Sequence, residues 1–325
     1  MNGTVKNALK FVISIGIGFG LIYFINSSLT EDDKALIFQS FRTSKFSVIA
    51  LTIFLAALAC VARALRWELL LNPIGCHPRR STLVSSIFIM YLANLIFPRL
   101  GEVLRCSVLF QKDEIPVEKS IGTMVVERLI DFLFAGLYVL LAFVFEHQKL
   151  LEIYNKYLSE KKEGSSNMLL FVIGLMIFFG IVSFFVPKIR RLITQKINGL
   201  WEGISSIFKL KKPILFVVYS LVLYSIYFAT TIIMYYAIDG LEGLRLTSGF
   251  VILTAGTLAV GLTQGGIGAF QLLVTKSLEL YDIARPIGLA YSWLSWTVQT
   301  GTLVVGGIIA WIYVQFTKNN NGKAQ

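Results

Sequence analysis

Residues Asn94 to Arg105 read NLIFPRLGEVLR, closing one apolar run and opening another with a proline and a glycine at the junction. Pro98 removes a backbone donor and clashes with a continuing helix, while Gly101 permits a tight turn or a close backbone approach. Arg99, Glu102 and Arg105 stand beside the break. A similar interruption recurs late in the chain, where Gly265, Gly266 and Gly268 divide the apolar segment 248 to 281 inside LTQGGIGAFQ. An apolar segment broken near its middle is either a spanning helix plus a loop or a hairpin that enters and leaves on one side.

The remainder of the chain identifies the medium. Of 325 residues, 55% are hydrophobic and 15% charged, against about 25% charged in soluble domains. Runs long enough to cross about 30 Å of hydrocarbon fall at 9 to 26, 46 to 66, 120 to 145, 168 to 187, 213 to 238 and 286 to 316. The expected fold is an all-α integral membrane protein with about six transmembrane helices plus two re-entrant or broken helical hairpins, 82 to 112 and 248 to 281. Residues 1–325 form a single polytopic membrane domain in this reading, with no large soluble domain. The first run has no small-residue cleavage site, so it reads as a retained helix, and the mature chain is expected to begin at or near Met1.

Loop charge chooses between the two treatments of the broken segments. With both as hairpins, nineteen Lys and Arg fall on one side and ten on the other; making only the first a full span removes the bias. The positive-inside rule therefore favours two hairpins and puts both termini in the cytoplasm. Span, hairpin, span then occurs twice, at 46–145 and 213–316, with the hairpins entering from opposite sides. That is the arrangement of an inverted-topology repeat, which brings broken helices together near the midplane; chance recurrence stays open, since the halves share no visible identity. Between the repeats, about 188–210, Ile189, Ile193, Ile197, Leu200, Trp201, Ile204 and Phe208 recur at helical spacing among lysines and arginines. This reads as an amphipathic helix on the anionic cytoplasmic leaflet or as a solvated basic loop.

Charges inside the apolar runs mark the candidate site. A charged side chain at bilayer depth costs about 2.5 to 3.5 kcal/mol even on lenient scales, so it is expected to be paired or functional. In IGTMVVERLIDFLF, counted from Lys119, Glu127 lies about 12 Å and Asp131 about 18 Å along the helix. These two share a face with Arg128 beside them, so cations from elsewhere must reconcile them. Arg99 or Arg105 is the expected partner. Two readings stand: a neutral network that only holds the broken helix, or the wall of a wet cavity where arginine can exchange a carboxylate for a lipid phosphate. Asn94, Gln264 and Gln271 are candidate polar linings. Arg63 and Arg66, in RALRW, either snorkel at the cytoplasmic interface or collect anionic head groups there.

Other chemistries find little support. Cys60, Cys76 and Cys106 have no CxxC spacing, and only His77 and His147 supply imidazole, so no metal site, disulfide framework or cofactor is indicated. There is no nucleotide motif, and nothing suggests nucleic acid as a partner.

Four motifs taken in order, RALRWELLL, NLIFPRLGEVLR, VVERLIDF and GGIGAFQ, resemble the lysylphosphatidylglycerol synthase transmembrane domain family, also called flippase-like proteins. The resemblance covers roughly residues 8 to 316. It implies movement of an aminoacylated phospholipid between leaflets, without the soluble acyltransferase-like domain that makes the lipid. It also implies that Arg99, Glu102, Glu127, Arg128 and Asp131 belong to the family's charged pattern. In many members the second hairpin reads Pro-Gly-Gly-x-Gly-x-x-Glu; here Gln264 replaces the proline and Gln271 the acid. A plain anionic or polyprenyl-phosphate lipid thus stands level with an aminoacylated one. The expected function is flippase-like lipid translocation across the cytoplasmic membrane. Two alternatives stand beside it: a membrane-embedded transferase on a lipid-linked substrate, and a non-transporting partner in envelope lipid or glycan synthesis, with a homo-oligomer left open.

Overall fold

The computed structural model of the chain describes Gly16 and residues 18–97, 100–157 (backbone alone over 150–157) and 209–317. All regular structure among them is helical. In chain order α1 spans Gly18–Ser27, α2 Glu31–Thr43, α3 Phe46–Leu71, α4 Arg80–Ile96, α5 Leu100–Asp113, α6 Val117–Tyr157, α7 Pro213–Ile233, α8 Ser248–Leu262, α9 Ala269–Glu279 and α10 Arg285–Phe316. Four are long and apolar enough to cross a membrane: α3, α6 as far as Lys149, α7 and α10. They coincide with four of the six expected spans. The run at 9 to 26 is described only in its second half, where α1 occupies it. The run at 168 to 187, and the basic segment from 188 to 208, lie outside the described residues.

The spans present apolar side chains outward as well as inward. Along α6, Leu129, Leu133 and Leu137 recur every fourth residue and are exposed, with Leu133 at 65%, and Ile309 in the middle of α10 is 63% exposed. Such a surface is lipid-facing, since water would penalise it by about 25 cal/mol per Å². The all-α, multi-pass membrane fold expected from composition is the one observed.

Both broken segments are helical hairpins. At about 1.5 Å per residue, α4 and α5 reach about 25 Å and 21 Å, and α8 and α9 about 22 Å and 16 Å, each short of a full crossing. The open end of the first hairpin is closed by Asp113 at the end of α5, which accepts from the Arg79 backbone N–H at 3.2 Å and pairs with its Nε at 2.7 Å. Near the tip, a Cβ on Gly101 would lie 2.0 Å from the Met90 carbonyl oxygen. Only glycine lets α5 set out so close to α4. The second tip turns through Gly265, Gly266 and Gly268, all at positive φ, where L-residues are strained and glycine is not.

Contacts at the mouths show that the hairpins enter from opposite sides. Lys112, at the end of α5, donates to the Thr317 carbonyl after α10 at 2.8 Å, so the first mouth shares a face with the C-terminal end of α10 and of α3. The second mouth follows α7. There the Lys45 N–H, at the start of α3, donates to the Ala237 carbonyl at 3.2 Å, and Thr247 donates to Glu146 of α6. Opposite ends of α3 thus meet opposite mouths. Each mouth has its own apolar core: one surrounds Trp67, Leu70, Leu83 and Leu109, the other Tyr235, Ile252, Leu278 and Tyr291.

Candidate functional site

The charged residues of α6 are held chiefly by α3, not by the first hairpin alone. Asp131 accepts from Arg63 Nη1 at 2.9 Å, Arg66 Nη2 at 2.7 Å and the Tyr224 hydroxyl of α7 at 2.6 Å. One turn earlier, Glu127 pairs with Arg66 at 3.3 Å and with Arg105 Nη1 of α5 at 2.8 Å. Arg105 also lies over the Trp67 ring, 4.2 Å from its centroid. The Trp67 indole in turn donates to Thr123 at 2.8 Å, fixing the plane on which the guanidinium rests. Arg66 is 0% exposed, Arg105 and Glu127 1%.

Arg128 differs. Its side chain is 46% exposed while it donates through Nη2 to Glu102 Oε1 at 2.6 Å and approaches Asp131 at 3.6 Å. Four guanidinium groups therefore meet three carboxylates among the described residues, a formal surplus of one positive charge. The neutral sum expected from Arg99, Arg105 and Arg128 gives way because Arg63 and Arg66 join the network. Pro98 and Arg99 lie outside the described residues. Arg63 and Arg66 do not lie free at the interface: partners on α6 draw both inward, because an unpaired guanidinium at that depth would be costly.

A cavity of about 580 Å³ lies between the two hairpin tips. Its wall includes Glu102 of α5 and Arg128 of α6, Gln264 and Gly265 of the second tip, and Trp296, Gln299 and Thr300 of α10. The tips touch: Gln264 Nε2 donates to the Asn94 carbonyl, the Asn94 side chain accepts from the Gly101 N–H at 2.8 Å, and Trp296 Nε1 donates to the Gly265 carbonyl at 2.8 Å. Backbone freed by the breaks thus finds partners or faces a cavity, the two conditions under which it is tolerated at membrane depth. Tyr91 and Tyr227 line the cavity and connect it to the buried charges, their hydroxyls 3.4 Å apart and the second 3.4 Å from Arg63 Nη2.

Of the residues singled out in the sequence, Asn94, Glu102, Arg128, Gln264 and Gly265 line this cavity. Arg63, Arg66, Arg105, Glu127 and Asp131 stand behind its wall as a buried ion network. Gln271 does not line it. It is fully buried, and its amide oxygen accepts from the Gly268 N–H at 2.8 Å, closing the first turn of α9. A glutamine at the third helical position after a glycine is the spacing of a capping box, so the cap was legible. Tyr91, Tyr224, Tyr227, Trp296, Gln299 and Thr300 were not singled out; an amide in the middle of the 32-residue apolar α10 was the available signal for Gln299. Among the described residues, no three His, Cys, Asp or Glu side chains converge as a metal site would require.

Comparison with known proteins agrees with this architecture. No curated protein and no solved structure matches the chain. The family model for the lysylphosphatidylglycerol synthase TM region matches residues 9–307. The chain therefore belongs to the lysylphosphatidylglycerol synthase TM region family, and its role concerns membrane lipids.

Proposed function

We propose that this protein moves a phosphate-bearing anionic lipid between the leaflets of the cytoplasmic membrane, passing the head group through the cavity between the hairpin tips while the tails stay in lipid. The observation that carries this reading is the Arg128–Glu102 pair, at 2.6 Å, on the wall of a cavity flanked by broken helices from opposite sides. Arg128 lies 11 residues into α6, about 16 Å along it. A half-exposed guanidinium at that depth has donors to offer a phosphate. The buried pairs behind it hold α3, α5 and α6 in register, so the two readings of the charges divide by residue: Arg128 faces the ligand and Arg63, Arg66 and Arg105 keep the wall. Both termini and the first hairpin mouth face the cytoplasm in this reading, following the Lys and Arg bias of the whole chain.

The test is exchange of a tail-labelled anionic phospholipid, or a tail-labelled polyprenyl phosphate, between leaflets of liposomes holding the purified chain. Exchange at least tenfold above empty liposomes, mostly lost in Arg128→Gln, is the expected result. Exchange no faster than in empty liposomes for either lipid overturns the reading in favour of a non-transporting partner.

A further inference from the structure

Among the described residues, the part of the wall formed by the second tip and α10 carries amides and hydroxyls but no charge, and the side chains of two of its residues lack partners. The side chains of Gln299 and Thr300 make no hydrogen bond among the described residues, although both line the cavity. They sit 14 and 15 residues into α10, about 21 to 23 Å from its start and about 24 to 26 Å from its end. Two residues on, Thr302 returns its hydroxyl to the Val298 carbonyl at 2.7 Å, the usual way a membrane helix satisfies a threonine. Thr300 does not. Unsatisfied polar groups near the middle of a spanning helix are costly unless water or a ligand completes them.

From this we infer that the cavity selects a lipid whose phosphodiester bears an uncharged, hydroxyl-rich head group, the polyol lying against Gln299, Thr300 and Gln264 and the phosphate against Arg128. The inference deepens the lipid-moving reading by naming the substrate class, and it rests on that reading for its route through the cavity. Three features disfavour a cationic head group. Among the described residues Glu102 is the only carboxylate on the wall, and its Oε1 is already held by Arg128 at 2.6 Å. Its other oxygen, Oε2, is shut off from the cavity without a hydrogen-bond partner, so an ammonium cannot reach it. The surplus positive charge of the network behind also repels an ammonium while attracting phosphate. Arg128 can hold a phosphate and keep Glu102, because a guanidinium has five donors. The Trp296 ring on the same wall offers an apolar face on which a polyol or sugar ring can rest while its hydroxyls meet the amides. The same chemistry is present in phosphatidylglycerol and in a polyprenyl-phosphate hexose.

The experiment compares tail-labelled lipids in liposomes holding the full chain: phosphatidylglycerol, a polyprenyl-phosphate hexose, lysyl-phosphatidylglycerol, and phosphatidylpropanol, which matches phosphatidylglycerol in charge and approximate size but lacks both hydroxyls. At least one hydroxyl-bearing anionic lipid is expected to exchange about fivefold or more faster than phosphatidylpropanol, the fold-change of about one hydrogen bond, and faster than the lysyl lipid. Which of the two does so identifies the source. Gln299→Leu should reduce the preference over phosphatidylpropanol. Phosphatidylpropanol matching both hydroxyl-bearing lipids in the wild type, or the lysyl lipid moving fastest, overturns the inference while leaving lipid movement intact. If no lipid moves, the transport reading fails separately, and the head-group class is still decided by binding. Thermal shifts in detergent with dihexanoyl-phosphatidylglycerol, a short-chain prenyl-phosphate hexose and dihexanoyl-phosphatidylpropanol must then favour a hydroxyl-bearing lipid; equal shifts overturn it.

Discussion

Arg66 serves two carboxylates through one nitrogen: its Nη2 lies 2.7 Å from Asp131 Oδ1 and 3.3 Å from Glu127 Oε1. These acids are four residues apart on α6, where like charges oppose the helix. One guanidinium from α3 turns that repulsion into a clamp between two spans, with Arg63 and Arg105 taking up the remaining oxygens.

Asp131→Ala should strand Arg63 and Arg66 and remove the acceptor of Tyr224. Breaking a buried pair by deleting one partner costs about 3 to 5 kcal/mol. Thermal unfolding in mild detergent should record a large drop together with reduced yield; an unchanged midpoint would refute the clamp.

Arg128→Gln is expected to behave in the opposite way. Its pair with Glu102 is half-exposed, and such pairs contribute about 0 to 1 kcal/mol. Its unfolding midpoint should stay near wild type while lipid exchange falls. Equal destabilisation in Asp131→Ala and Arg128→Gln would assign the whole network to structure.

Gly101→Ala should open the first hairpin, because the added Cβ would meet the Met90 carbonyl oxygen at 2.0 Å and backbone cannot yield as a side chain can. A loss of about 1 to 3 kcal/mol is expected from the strain. Gly243→Ala, where a Cβ meets nothing within 4 Å, is the control and should leave the midpoint unchanged. Similar midpoints for the two variants would show that α5 does not need its close approach to α4.

Topology is tested by labelling single cysteines in a chain freed of Cys60, Cys76 and Cys106. Gly243→Cys, near the second mouth, should react with an impermeant reagent from outside intact cells. His77→Cys, near the first mouth, should react only after permeabilisation. Reaction of both from one side would contradict hairpins of opposite entry.

Acidity should loosen the second mouth. The Glu242 carboxyl is held below the usual carboxylate range by its own N–H and that of Gly240, then by Lys45. A lowered folded value means that its stabilisation is complete above the unfolded pKa and is lost as pH falls through the folded one. Unfolding midpoints from pH 7 to pH 3 should therefore fall further for wild type than for Glu242→Gln, and parallel curves would exclude a contribution from this group.

Much of the architecture was legible because it is locally encoded. A proline such as Pro98 cannot continue a helix, the glycines at 265, 266 and 268 turn the second tip at positive φ, and runs of apolar residues mark spans by length alone; Gly101 instead lies in the first turn of α5. Four expected spans are described as expected, and both broken segments are hairpins. Loop charge also favoured hairpins over crossings, since each treatment fixes the side of every later loop.

Which charges meet was not encoded locally. Arg63 and Arg66 lie near the end of an expected span, where snorkelling is the cheapest explanation for an isolated helix. In the fold α3 runs on to Leu71 and packs beside α6, so Asp131 is met by arginines 65 and 68 residues away. No periodicity links such distant positions. Gln299 is a further case and Gln271 is not: the bond from the Gly268 N–H to Gln271 is local and written in the spacing, whereas only the placement of neighbouring helices puts the Gln299 amide on a cavity wall.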